Sequence, residues 1–354
     1  MPTDKNFHIA SLDGIRAVAA MLVFAAHAGN SYGWNLAPGG FGVTIFFFLS
    51  GYLITTLLRL EKERTKTISL RRFYLRRAYR ILPPMYVLLT LNLILALIGV
   101  LPSDLTVGAV AAQFAHLSNY YMLLFGEKHI VPGTGVMWSL AVEEHFYLLY
   151  PMLLLFLLGR LSYKHTAVVL LGLCALVLVW RCYLVFGLSV PSDYTYEATD
   201  TRFDSLLYGC IMGIALNPAL DDRALTFSSR TWFVLLTISG AVLAFCFWYR
   251  SDAFRATVRY SLQGIALFPL FFCAIRYSRW PLFAWLNFAW IRGLGIVSYS
   301  FYLVHLTTLS EAATIVHQTV LAPSLGFAMA VLYSVAMYFL VEKHLGILRH
   351  RLHR

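Results

Sequence analysis

Charge is what this sequence has least of. Of its 354 residues, 13% are Asp, Glu, Lys or Arg, about half the roughly 25% of an ordinary soluble domain. A water-soluble chain of this length is thereby excluded. Cysteine is scarce and unpaired in pattern: Cys174, Cys182, Cys210, Cys246 and Cys273 lie in or beside apolar runs, with no C-x-x-C spacing. They read as small core residues, and no disulfide frame or metal site is expected. No Walker A loop or dinucleotide glycine fingerprint is present, so nothing points to ATP or NAD. "FFFLSGYLI", around Ser50, lacks the G-x-S-x-G elbow of a serine hydrolase. Repeats, low-complexity tracts and inter-domain linkers are missing too.

Apolar sequence fills the rest. Hydrophobic residues make up 59% of the chain and its mean hydropathy is +0.69. Runs near twenty residues, the length that crosses a hydrocarbon core as a helix, recur from end to end. They predict an all-α polytopic membrane protein with about ten transmembrane helices, near 9–29, 40–58, 81–101, 138–158, 167–186, 203–217, 231–249, 259–275, 293–311 and 324–342. With both termini cytoplasmic, 21 of the 28 Lys and Arg fall on inner segments and 5 on outer ones, while Arg16 and Arg181 lie within spans. That bias follows the positive-inside rule, and residues 1–354 read as one membrane domain. The net charge of +11 is accounted for by inner loops facing anionic lipid, so no nucleic acid is expected as a partner. "AHAGN" after the first run resembles a signal-peptide cleavage site. Charges at Asp13 and Arg16, inside the apolar core, argue against removal of that run.

Between spans two and three, "SLRRFYLRRAYRI" alternates basic and apolar residues at helical spacing. It predicts an amphipathic helix on the inner surface, ending at Pro83 and Pro84. On the outer side, "QFAHLSNYYMLLF" is too short to span and suits an interfacial or re-entrant piece. The acidic outer loop "PSDYTYEATDTRFD" fits either a solvated loop or recognition of a polar acceptor.

Ionisable residues inside spans are costly and mark function by default. Arg16 and His27 are eleven residues apart, within about 20° of one helical face and roughly 16 Å apart along it. Asp13, three residues before Arg16, can pair with it. Glu143 and Glu144 enter with the fourth span, and His305 lies in the outer half of the ninth. His27, one glutamate and His305 are therefore expected to approach each other, and a histidine oriented by a carboxylate removes protons from hydroxyls. His305 equally suits a simple hydrogen bond between helices, Glu144 an ion pair with Arg181, and His145 a local polar network. Arg76, Arg77 and Arg80, just before span three, suit bidentate phosphate binding; lipid headgroups are the competing ligand there, as for Arg71 and Arg72.

Taken together, the motifs resemble the acyltransferase-3 family. "LDGIRAVAAMLVFAAH" is similar to its opening helix, in which an Arg, ten residues and a His recur. "FGVTIFFFLSGYLI", "FYLRRAYRILPPMY", "WSLAVEEHFYLLYP", "TRFDSLLYG" and "SYSFYLVHL" follow in the family's order. The resemblance implies a bacterial inner-membrane enzyme that transfers an acyl group, often acetyl, from cytoplasmic acyl-CoA to a hydroxyl. Its acceptors would be surface polysaccharide, lipopolysaccharide, peptidoglycan or a glycosylated metabolite. It makes His27 the catalytic histidine with Arg16 its partner, Glu143 the acid of the W-S-L-x-x-E motif, and Arg77 and Arg80 the donor-binding pair beside Arg76. Asp13, Glu144, His305, Arg202 and Asp204 are supporting or substrate-binding candidates. Thr44 stands where many members have Asp, and no fused extracytoplasmic hydrolase-like domain is read in the chain. Transfer is then expected within the membrane domain or with a separate partner protein or second copy. No metal or resident cofactor is expected. The rival class is a proton-coupled exporter using His27, Glu143 and His305 as a relay; it leaves the arginine cluster unexplained.

Overall fold

The computed structural model describes residues 8–30, 37–221, 227–317 and 320–346. Three long helices open the chain: α1 (Ala10–Asn30), α2 (Gly39–Thr65) and α3 (Leu70–Leu97). Two short ones, α4 (Val107–Phe114) and α5 (Ser118–Phe125), occupy the long outer connection expected from the sequence. Next come α6 (Met137–Leu158), α7 (Tyr163–Cys182), α8 (Ser192–Glu197) and α9 (Thr199–Ala215). The second half holds α10 (Ser229–Trp248), α11 (Asp252–Ala256) and α12 (Val258–Arg276). It closes with α13 (Pro281–Ala284), α14 (Ala289–Ile296), α15 (Ser298–Ile315) and α16 (Ala322–Met337), the last running on as a π-helical turn, Tyr338–Glu342. No strand occurs among the described residues.

Among the described residues, eight helical stretches are long and apolar enough to cross a bilayer: α1, α2, α3, α6, α7 with its extension to Gly187, α10, α12, and α16 with its extension to Gly346. The remaining expected crossings, 203–217 and 293–311, are helical but fall outside those eight. The first is α9, whose 17 residues reach about 26 Å and include Asp200, Arg202 and Asp204. The second is divided at Val297 into α14 and α15. The terminal segments 1–7 and 347–354, on which the sidedness of the ends depends, lie outside the described residues.

The bundle centre is built on close backbone contact. A Cβ on Gly209 would lie 1.9 Å from the Phe48 carbonyl oxygen, and one on Gly51 2.0 Å from that of Leu206. Glycine at both positions lets α2 and α9 touch main chain to main chain, the small-residue packing typical of helices in lipid. Large apolar side chains also cover the outside: Leu97, Leu148, Phe156, Leu176, Phe233 and Leu332 are exposed. In a protein with no backbone-satisfying water around its middle, such faces belong against acyl chains. The protein is an all-α integral membrane protein.

At the basic end the helices are tied together by charge. Arg59 of α2 pairs with Asp221 and, at 2.8 Å, with Glu63, while Arg76 of α3 reaches Glu61 of α2 at 2.8 Å. Lys62 donates to the Leu158 carbonyl at the end of α6. One sequence expectation is overturned here. The stretch around Arg71–Arg80 is not a separate surface helix stopped by Pro83 and Pro84; α3 runs through both prolines as one 28-residue helix. The prolines remove the donors that the Tyr79 and Arg80 carbonyls would use. In the same turn the Tyr299 hydroxyl donates to the Ile81 carbonyl at 2.8 Å, the kind of neighbouring-helix support that makes proline tolerable in a membrane helix.

Candidate functional site

Arg16 and His27 share one face of α1, as their spacing requires. Near the N-terminal end, Arg16 Nη1 donates to Asp13 Oδ1 at 3.1 Å, and His8 Nε2 meets the other oxygen of Asp13 at 2.6 Å. Arg16 opens onto a cavity of about 910 Å³, measured out to its open mouth. Arg77 and Arg80 of α3 enter it from the basic end, bringing three guanidinium groups together. Arg76 is oriented differently: one residue away on the helix, it turns to Glu61 and is not part of the lining. Helical rotation thus divides the cluster between cavity and scaffold.

Glu143 and Glu342 supply negative charge in the same cavity. The Glu143 carboxylate accepts from Ser50 Oγ at 2.9 Å and from the Tyr147 hydroxyl at 3.0 Å. Arg77 lies over the Tyr147 ring at 5.0 Å and the Phe73 ring at 5.8 Å, so its planar cation is positioned by aromatic faces. Glu342 accepts from Ser300 Oγ at 2.5 Å. A π turn has one residue more than an α turn, which shifts the register of the final segment. The sequence offered little sign of Glu342 beyond a lone acid at the edge of the last apolar run. Tyr147 and Tyr302 likewise carry no local sequence signal that sets them apart from the chain's many other aromatic residues.

At the deeper end, the Tyr302 side chain lines the cavity and its hydroxyl meets Ser139 Oγ at 2.7 Å. The Tyr302 carbonyl is 2.6 Å from His305 Nδ1, and His305 Nε2 is 3.0 Å from His27 Nδ1. His27 Nδ1 is also 3.0 Å from the Val23 carbonyl. The two imidazoles therefore meet, α15 against α1, with His305 buried and His27 half-buried.

The other candidates are placed as follows. Glu143 is grouped with Arg16 rather than hydrogen-bonded into the histidine pair. Glu144 keeps one buried oxygen, Oε1, without a hydrogen-bond partner among the described residues. Arg181 does not turn to Glu144; it grips Asp204 with both terminal nitrogens, at 2.8 and 2.6 Å. Arg202 donates to Thr44 Oγ1 and to the Tyr196 carbonyl, each at 3.1 Å, with its guanidinium 4.1 Å from the Tyr260 ring centre. Thr44 thus acts as a neutral acceptor for a buried arginine. His145 Nδ1 contacts Thr199 Oγ1 at 2.7 Å, a local polar link between α6 and α9. In the acidic stretch that opens α9, Asp200 accepts from Trp180 Nε1 at 2.6 Å and Tyr120 at 3.1 Å. Among the described residues no group of three or more His, Cys, Asp or Glu is placed to hold a metal.

This is a polytopic helical membrane protein with a cationic cavity and, joined to Tyr302 of its lining, an imidazole pair. The chain belongs to the family described as the acyltransferase domain, which matches residues 9–341. It is 31% identical over 317 residues to the peptidoglycan O-acetyltransferase OatA of Listeria monocytogenes, a match covering 84% of this chain and 49% of that protein. It is 32% identical over 307 residues to the O-acetyltransferase OatA of Staphylococcus aureus, covering 84% and 50% respectively. The chain thus spans about half the length of these relatives. No solved structure matches it significantly.

Proposed function

We propose that this protein is a bacterial plasma-membrane O-acetyltransferase. It takes acetyl from cytoplasmic acetyl-CoA and transfers it to a hydroxyl of an envelope glycan, with peptidoglycan the favoured acceptor. The acceptor class rests on the names of the relatives; the donor rests on the cavity. The observation that carries the reading is the run of groups from Arg77, Arg80 and Arg16 through Tyr302 to the His305–His27 pair. Guanidinium groups lining a cavity bind phosphate oxygens through charge-assisted bonds. Phe46, Phe47, Leu49 and Leu53 in the same lining give apolar surface that suits a pantetheine arm carrying a thioester.

In this mechanism His27 acts as the general base. It takes the acceptor's hydroxyl proton, and the freed oxygen pair attacks the acetyl carbonyl carbon. The carbon–sulfur bond then breaks, and the departing thiolate recovers the proton from His27 to leave as the free thiol. Glu143, bonded to Ser50 and Tyr147, balances the arginines and holds that wall in place. The exporter alternative has no observation in its favour once the chain is placed among acyltransferases. The test is acetyl transfer by purified, detergent-solubilised protein carrying His27→Ala, with insertion and folding checked separately. A folded variant that still transfers acetyl at the parent rate sinks the assignment of the base.

A further inference from the structure

The His27–His305 contact has a direction, and the backbone sets it. A carbonyl oxygen only accepts hydrogen bonds. His305 Nδ1 is 2.6 Å from the Tyr302 carbonyl, so that nitrogen bears a proton. In a neutral imidazole the other nitrogen, Nε2, then holds a lone pair. His305 Nε2 is 3.0 Å from His27 Nδ1, and two lone pairs do not bond, so His27 Nδ1 bears the hydrogen. The Val23 carbonyl, 3.0 Å from the same nitrogen and already taking the helical bond of His27 N–H, shares this hydrogen as a second, weaker acceptor. Both carbonyls and the imidazole contact agree on one arrangement: His27 is protonated on Nδ1 and carries its lone pair on Nε2.

We propose that His305 is a positioning residue that fixes His27 in this tautomer, filling with a neutral imidazole the place a carboxylate occupies in a Ser-His-Asp triad. The inference rests on the reading of His27 as the base. The acceptor's proton goes to His27 Nε2, and the resulting imidazolium is stabilised through Nδ1–H by the lone pair of His305. The surroundings suit a fixed pair: the Phe24 ring centre lies 6.5 Å from that of His305 and 5.6 Å from that of Phe301, and His305 is 1% exposed. Apolar walls of this kind keep water from competing for Nδ1–H. Tyr302 gives the arrangement a second use, since its side chain faces the donor cavity while its carbonyl holds His305.

The experiment compares His305→Ala with His305→Gln in the full chain, alongside His27→Ala. Glutamine places a carbonyl oxygen near the position of Nε2, so it still accepts from His27. Alanine is expected to lower kcat by roughly a hundredfold, in the range of a lost general-base function, with KM for acetyl-CoA unchanged. Glutamine is expected to restore about tenfold of that loss, the worth of one hydrogen bond. Nitrogen-15 spectra of histidine-labelled protein, assigned by the signal lost in His27→Ala, should show Nδ1 protonated in the parent. In His305→Ala, where only the already engaged Val23 carbonyl still favours Nδ1–H, the Nε2-protonated tautomer should gain population. Equal kcat for the alanine and glutamine variants, or a His27 tautomer unmoved by His305→Ala, overturns the proposal. Because the spectra need no turnover, they judge His305 even where His27→Ala proves fully active and the base assignment itself fails.

Discussion

Arg181 and Asp204 face each other with both pairs of terminal atoms in contact, 2.6 and 2.8 Å apart, and neither side chain is exposed. Ser261 Oγ accepts from Arg181 at 2.7 Å and donates to Asp204 at 3.0 Å, closing the network between α7, α9 and α12. Removing one partner of a buried pair strands the other charge, which costs about 3–5 kcal/mol, whereas replacing both by apolar groups is often nearly neutral. Asp204→Ala is therefore expected to lower the thermal midpoint in detergent sharply. The double change Arg181→Met with Asp204→Leu should recover most of that loss. A double variant as unstable as the single one counts against a purely scaffolding role for the pair.

The split between neighbouring arginines makes a second prediction. Arg77 and Arg80 line the cavity, while Arg76 is committed to Glu61. Hydrogen bonds to charged groups contribute about 1.5–3 kcal/mol, so Arg77→Ala or Arg80→Ala should raise KM for the proposed donor, acetyl-CoA, by roughly tenfold or more. Arg76→Ala should reduce stability and leave KM in place. Thioester consumption measured against donor concentration separates these outcomes. Equal effects from all three replacements would point to general attraction of anions by the basic surface.

The class of the fold was legible because lipid imposes it: scarcity of charge and twenty-residue apolar runs admit little else. The family was legible in motif order, from the Arg16–His27 spacing through to the segment around His305. What stayed hidden was decided by packing between distant helices. Pro83 and Pro84 looked like a stop, yet α3 passes through them, with the Tyr299 hydroxyl donating to the Ile81 carbonyl in the preceding turn. Periodicity could place Glu143 at a depth but not choose Ser50 and Tyr147 over a histidine as its partners. Arg181 looked available to Glu144 because both lie in spans, and Asp204 took it by geometry that no local pattern encodes. Glu342 was obscured by a change of helical register at the π turn.

Contact between α2 and α9 leaves no room for a side chain at Gly209, where a Cβ would meet the Phe48 carbonyl oxygen at 1.9 Å and the Tyr52 nitrogen at 2.8 Å. Both obstacles are backbone, so relief requires the helices to separate along the centre of the bundle. Gly209→Ala is expected to cost more than most single substitutions, about 3 kcal/mol or above, within the range seen for overpacked cores and broken networks. Gly172, with open space around it, is the matched control, since Gly172→Ala should be neutral or slightly stabilising through helix propensity. Size-exclusion profiles and thermal midpoints of the two variants make the comparison. A well-behaved Gly209→Ala protein would mean that the two helices tolerate a wider spacing.

Glu197, at the end of α8 outside the apolar spans, gives a pH-dependent prediction. Burial, with Glu127 and Asp193 nearby, pushes its carboxyl up from 4.5 to about 8. The folded protein therefore holds this proton after the unfolded chain has released it. Where the unfolded state binds fewer protons, stability falls as pH rises. The contribution of Glu197 is thus fully present below about pH 4.5, declines through the interval up to about 8, and is absent above it. Replacing it with glutamine keeps the shape and removes the ionisation. Glu197→Gln should match the parent's thermal midpoint near pH 4.5 and exceed it near pH 8 and above, the gap opening across that interval. A gap of constant size over the whole range would mean that the carboxyl is not held protonated by the fold, and that the acidic outer segment is simply solvated.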